Sequence, residues 1–163
     1  MKKKFQAMLE NWAEKYRPRN LSEVINQEQA KLKLKQFLMQ WHSKQKPKIK
    51  AVLMYGPAGT GKTALAYALA AEFDMEVIEL NASDFRDKRS IDAVIGNAMQ
   101  QQSLFARKKL IIVDEVEGIS GKEDRGGLAE LSKFIDKATW PIILISNNPF
   151  DKRLFVLRQK CLL

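Results

Sequence analysis

Three short segments of this chain carry residue types suited to phosphoryl chemistry. The first is Gly56-Pro57-Ala58-Gly59-Thr60-Gly61-Lys62-Thr63, which fits the pattern G-x-x-x-x-G-K-[ST]. Glycines let backbone N–H groups turn inward around a polyphosphate, and the helix that follows adds the partial positive charge of its N-terminus. Lys62 is then placed to reach β- and γ-phosphates, and the Thr63 hydroxyl to ligate Mg²⁺. The second segment is Asp114-Glu115, directly after the apolar run 110–113. Adjacent carboxylates at a strand end can take two roles: Asp114 holds Mg²⁺, largely through its water shell, and Glu115 orients or deprotonates a water attacking the γ-phosphate. Glu117, two residues on, reads as a supporting or solvated side chain. The third is Asn147-Asn148 after the run 141–145, where an amide can hydrogen-bond both a water and a γ-phosphate oxygen. Asn147 comes first after the strand and is the candidate, although spacing alone does not separate it from Asn148 or from a solvated turn before Pro149.

The elements that must position these groups are legible around them. Residues 51–55 form a short apolar run that suits a buried parallel strand, and 64–71 are rich in Ala and Leu and read as helix. Strand, glycine loop and helix are the context the phosphate-loop pattern requires. Further strands are predicted over 76–80, 110–113 and 141–145, and helices over 27–41, 90–102 and 128–136. An amphipathic, helix-like stretch is predicted over 5–16. Pro18 disfavours helix at Arg17, Ser22 is a candidate cap for a short helix containing Glu23, and 43–50 is a polar loop. Strands separated by helical stretches predict an α/β fold with an open, mostly parallel sheet. In such sheets ligands sit at the carboxyl ends of the strands, which is where the acids and the amide fall.

At 163 residues the length suits one domain, and 45% apolar with 29% charged residues suits a globular one. No apolar run approaches membrane-spanning length, and Met-Lys-Lys-Lys at the start is not followed by the apolar core of a secretory signal. A lone cysteine, Cys161, cannot form an internal disulfide or a zinc cluster. These features predict a cytoplasmic, nucleoid-associated protein and no membrane partner. Charge is uneven. Residues 1–50 carry 13 Lys and Arg against 4 Asp and Glu, so the whole net charge of +9 lies there. A solvated helix face and attraction to a polyanion such as nucleic acid are both compatible with that surplus.

Taken together, the phosphate loop, the strand ending in Asp114-Glu115 and the polar residue after the next strand resemble the AAA+ ATPases. WAEKYRP at 12–18, VINQE at 24–28 and ELNASDFR at 79–86 are similar to signatures of clamp-loader subunits. DEVEGISGKEDRGG at 114–127 and ISNNPF at 145–150 are similar to the large-subunit family of archaeal replication factor C. The resemblance runs over nearly the whole chain. It implies a three-layer P-loop core over 51–163, preceded by a basic segment, 1–50, that contributes to the adenine pocket. It implies ATP and Mg²⁺ as cofactors, and replication factor C small subunits, the PCNA sliding clamp and primer–template DNA as partners. By position it assigns Gly56, Pro57, Ala58, Gly59, Thr60, Gly61, Lys62 and Thr63 to the triphosphate, with Thr63 and Asp114 on the metal. Asp114 and Glu115 drive hydrolysis and Asn147 is the sensor. The resemblance implies that Tyr16, Arg17, Pro18, Val24 and Ile25 line the adenine pocket. Arg86, Lys88 and Arg89, with Lys122 and Arg125, face the DNA backbone as phosphate contacts that position without reading sequence. Leu104 and Phe105 either dock on the clamp or belong to the core.

The resemblance also implies parts that lie outside these residues. The family's large subunits continue into a helical lid and a collar, so the chain reads as truncated before both. Cys161 to Leu163 look like the opening of a fifth strand beside 51–55, and an edge so little covered predicts marginal stability. Lys160 precedes Cys161 where small subunits carry an arginine that completes a neighbour's active site. The expectation is that this chain receives such an arginine finger rather than supplying one, and that alone it turns over slowly. The alternative is a nucleotide-switched scaffold that binds ATP and partners without significant turnover.

Overall fold

The computed structural model describes residues 16–41, 47–81, 108–119, 127–148 and 150–163. Among these residues five strands form one sheet: β1 (Ala51–Tyr55), β2 (Glu76–Asn81), β3 (Lys109–Asp114), β4 (Ile142–Ser146) and β5 (Cys161–Leu162). Their order across the sheet is β2-β3-β4-β1-β5, and every pairing is parallel. The four strands expected from apolar runs are therefore present, each within a residue or two of the predicted bounds. The fifth opens at Cys161 and pairs with Ala51 and Val52, as expected.

Alternation along each strand divides the core into two layers. Ala51, Leu53, Ile111, Val113, Ile142 and Leu144 face one side, where α3 (Gly127–Lys137) and α4 (Phe155–Lys160) cover them through Leu131, Phe134, Ile135 and Leu157. Val52, Met54, Leu110, Ile112, Ile143 and Ile145 face the other, under α1 (Glu28–Gln40) and α2 (Lys62–Glu72). Helices on both faces of a parallel sheet explain why the strands read as unbroken apolar runs rather than alternating ones. The three-layer α/β architecture expected from the sequence is thus the one observed. Helix α1, from the basic N-terminal third, inserts Leu34, Phe37 and Leu38 into the same core as α2.

One local detail differs. Ser22 does not cap the short helix: it lies inside the 3₁₀ turn Leu21–Glu23, whose cap is Asn20, with its side chain accepting from the Glu23 N–H. An Asn with extended backbone one residue before the turn is the better-placed acceptor.

Candidate functional site: the phosphate loop and its two clefts

The loop 56–61 leaves the end of β1 and enters α2 without an intervening residue. Gly59 and Gly61 have φ of 77° and 82°. A Cβ at either would meet nothing within 4 Å, so what reserves these positions for glycine is the sign of φ and not lack of room. Gly61 is also the N-cap of α2 and makes no side-chain cap bond, so the first-turn N–H groups of an 11-residue helix are left facing the loop. The Thr60 hydroxyl donates to Pro57 O at 2.9 Å and closes the turn.

On one side of the loop is a cleft of about 350 Å³ lined by Ala58, Gly59, Gly61, Lys62, Thr63, Ala64, Asp114, Glu115, Ile145 and Asn147. Every candidate catalytic residue is in it. The Lys62 ammonium donates to Gly56 O and Pro57 O, both at 2.9 Å, and to Asn147 Oδ1 at 3.0 Å. The Thr63 hydroxyl donates to Asp114 Oδ2 at 2.7 Å, and the other Asp114 oxygen accepts the Glu115 N–H at 2.8 Å. The strand order makes this convergence possible. β4 lies between β3 and β1, so Asp114, Asn147 and the loop leave three neighbouring strands at the same edge. Glu115 takes a left-handed backbone, φ 53°, uncommon for a residue with a side chain. The turn places its exposed side chain in the cleft beside Asp114.

The two asparagines separate. Asn147 faces Lys62, whereas Asn148 accepts the Phe150 N–H and closes the following turn. Glu117 is more than a solvated acid: from the 3₁₀ turn Val116–Ile119 its Oε1 accepts the Asn147 N–H at 2.9 Å. Sequence spacing could not show this contact, because it joins residues 30 apart.

On the other side of the loop lies a cleft of about 390 Å³. It is walled by Gln27, Gln29, Ala30 and Leu34 of the α1 region, by β1, by Gly56, Pro57 and Thr60 of the loop, and by Leu162. The five residues assigned to adenine do not line it. Tyr16 and Ile25 are largely exposed, Val24 packs on the core beneath α1, and Pro18 is half-buried. The Arg17 guanidinium stacks 3.8 Å over the ring of Tyr67. The Tyr67 hydroxyl in turn donates to Glu79, and burial together with that carboxylate raises its phenol above the ordinary 10.0. Arg86, Lys88, Arg89, Lys122, Arg125, Leu104 and Phe105 fall outside the described residues, as do the stretches 5–15 and 90–102. Among the described residues no helix is long and apolar enough to cross a membrane.

A parallel sheet carrying a phosphate loop, two acids and an amide at its carboxyl edge defines a P-loop ATPase. Residues 52–160 match the family described as ATPase family associated with various cellular activities (AAA), and the chain belongs to that family. Parvovirus non-structural protein NS1 also matches, over residues 11–85, a stretch under half the chain that includes the phosphate loop. The resemblance to archaeal replication factor C is borne out by similarity to proteins of that name. The large subunit from Nanoarchaeum equitans is 50% identical over 89% of this chain and 33% of its own length. Those from Staphylothermus marinus and Thermofilum pendens are each 44% identical, over 93% and 92% of this chain and 36% of their own. The chain spans about a third of the length of these relatives. Among solved structures, the FIGL-1 AAA domain in complex with ADP matches 87% of the chain and 53% of its own, with a TM-score of 0.64 and 20% identity, which supports the fold.

Proposed function

We propose that this chain is the ATP-binding and ATP-hydrolysing part of a replication factor C large subunit, which helps load the PCNA sliding clamp onto primed DNA. The observation that carries the reading is the meeting of Lys62, Thr63, Asp114, Glu115 and Asn147 in one cleft at the phosphate loop. The donor set fits the expected cofactors. Thr63 and Asp114 present two hard oxygens 2.7 Å apart, suited to Mg²⁺, which keeps several waters and takes few protein ligands. Bound there with ATP, Mg²⁺ neutralises charge on the β- and γ-phosphates.

The chain's own residues have distinct tasks. Backbone N–H groups of 59–63 cradle the phosphates. Lys62 exchanges its contacts with Gly56 O and Pro57 O for phosphate oxygens. Glu115 orients the attacking water, and Asn147, held through its N–H by Glu117, places its amide between that water and the γ-phosphate. The adenine then enters the cleft beside α1, with Tyr16, Arg17, Pro18, Val24 and Ile25 contributing to its surroundings. Arg86, Lys88, Arg89, Lys122 and Arg125 face the DNA backbone, and Leu104 and Phe105 are candidates for the clamp. As the family resemblance implies, a neighbouring small subunit supplies the arginine finger that completes this site.

The test is ATP hydrolysis by this chain mixed with the matching small subunit, with and without PCNA and primed DNA. Stimulation that requires both Lys62 and Glu115 is the expected result. Nucleotide binding without stimulation, unchanged by Glu115→Gln, would instead support the scaffold reading.

A further inference from the structure

We propose that Lys31 is a positioning residue for the base-side wall of the nucleotide cleft. It holds the backbone of 24–27 in the shape against which a base packs. The proposal rests on the nucleotide reading above and adds a residue that no motif contains.

The wall begins with an unusual backbone. Asn26 and Gln27 are consecutive non-glycine residues in the left-handed region, with φ of 63° and 67°. Asn tolerates that region better than most side chains, but Gln27 is strained there unless its surroundings hold it. Gln27 is the N-cap of α1: its carbonyl accepts the Lys31 N–H at 2.9 Å but it makes no side-chain cap bond, so the helix start restrains Gln27 and not the residues before it. Gln27 nevertheless lines the cleft, one wall of which continues through Gln29, Ala30 and Leu34 to the phosphate loop. A change in the left-handed pair therefore moves the wall.

Lys31 supplies the missing restraint. It is buried, with 9% of its surface exposed. Its ammonium donates to Val24 O, seven residues back, and to the Glu28 carboxylate at 2.7 Å. A cation in the first turns of a helix opposes the helix dipole, and burying it costs further free energy. The i,i+3 pair with Glu28 favours the helix, but that pair alone does not call for burying the lysine. What the side chain achieves is a charge-assisted tie from the helix to the carbonyl that precedes Ile25 and the strained pair. The phosphate side of the site has its own ties, through Lys62 and Thr63, so losing this one should loosen the base and leave the phosphates alone.

The experiment is equilibrium binding of Mg·ATP and of Mg·tripolyphosphate to the wild-type protein and to Lys31→Met, which keeps the buried stem and removes the ammonium. The expected result is an ATP affinity lower by about tenfold, the size of one lost charge-assisted hydrogen bond, with tripolyphosphate affinity unchanged. Lys31→Arg, which keeps a cation in reach of Val24 O, should recover most of the loss. Because Lys31→Met can fail to fold, Glu28→Ala is the companion. Its side chain is 79% exposed, and removing it frees the ammonium from one of its two partners. It should weaken ATP a few-fold with the same selectivity. Equal weakening of both ligands, or of neither, in the variant that folds overturns the proposal while the nucleotide reading stands. Wild-type protein that binds neither ligand overturns both.

Discussion

The two clefts flanking the phosphate loop are similar in size and opposite in construction. The phosphate side is held by side chain to side chain, with Lys62 on Asn147 and Thr63 on Asp114, drawn from residues 85 and 51 apart in sequence. The base side has a more apolar lining, with Ala30, Leu34, Val52 and Leu162 beside Gln27, Gln29 and Lys33, and its tie runs from Lys31 to the backbone of Val24 and to Glu28. On the proposed reading, the difference follows from what each must do. Developing charge on a phosphoryl group is stabilised by preorganised dipoles and ions in fixed positions. A base needs an apolar slot with a few polar groups at its edge.

Substitutions should separate the two sides. The largest effect belongs to Glu115→Gln: turnover should fall about 10²–10⁴-fold with ATP binding retained, read by single-turnover hydrolysis beside equilibrium binding. Unchanged turnover would break the assignment of chemistry to the phosphate side. Thr63→Ala should raise the Mg²⁺ concentration needed for half-maximal activity by about 10–100-fold, with little change in thermal stability. A metal titration that superimposes on wild type would count against Thr63 as a ligand.

On the base side the same logic predicts loss of fold before loss of chemistry. Leu34→Ala, at a position 2% exposed, should cost about 2–5 kcal/mol by denaturant titration, because a cavity opens between α1 and the sheet. If stability held and only hydrolysis fell, the contrast between the clefts would fail. Glu117→Gln should reduce kcat by no more than about tenfold while leaving KM for ATP alone, since an amide oxygen still accepts the Asn147 N–H but more weakly than a carboxylate.

The smallest effect concerns β5, where Cys161 packs on the core layer opposite the base side while its neighbour Leu162 lines that cleft. Burial pushes the Cys161 thiol up to about 12 from its ordinary 9.0, against the weaker opposite influence of Lys160. The folded state therefore prefers the neutral thiol. Its contribution is fully present below pH 9 and is lost as pH rises from 9 toward 12. A Cys161→Ser variant should show a shallower decline in melting temperature over that window, and identical declines would refute it.

How much was legible in the sequence follows the same division. The phosphate loop, the Asp114-Glu115 pair and Asn147 announce themselves because their chemistry fixes residue type and local spacing. The strands were legible for a related reason: a parallel sheet covered on both faces makes 110–113 and 141–145 continuously apolar. Glu117's support of Asn147 was not, since it depends on a sheet register that brings β3 and β4 together. Nor was the base-side wall. Asn26 is a weak signal for a left-handed residue but nothing marks Gln27 as a second, and Lys31 reads as one more solvated lysine beside Lys33 and Lys35 until the fold buries it. The stacking of Arg17 on Tyr67 was not legible either, because it joins residues 50 apart.

The left-handed backbone of Glu115 has a consequence for how this site can change over time. Glycine, and to a lesser degree Asn, occupies that conformation with less strain than Glu. The shortest route to a more stable protein at this position is thus also a route to a dead enzyme. Glu115→Gly should melt no lower than wild type while hydrolysing almost nothing. On the proposed role of Glu115, selection for stability alone would erode the site and selection for turnover would keep the glutamate in place.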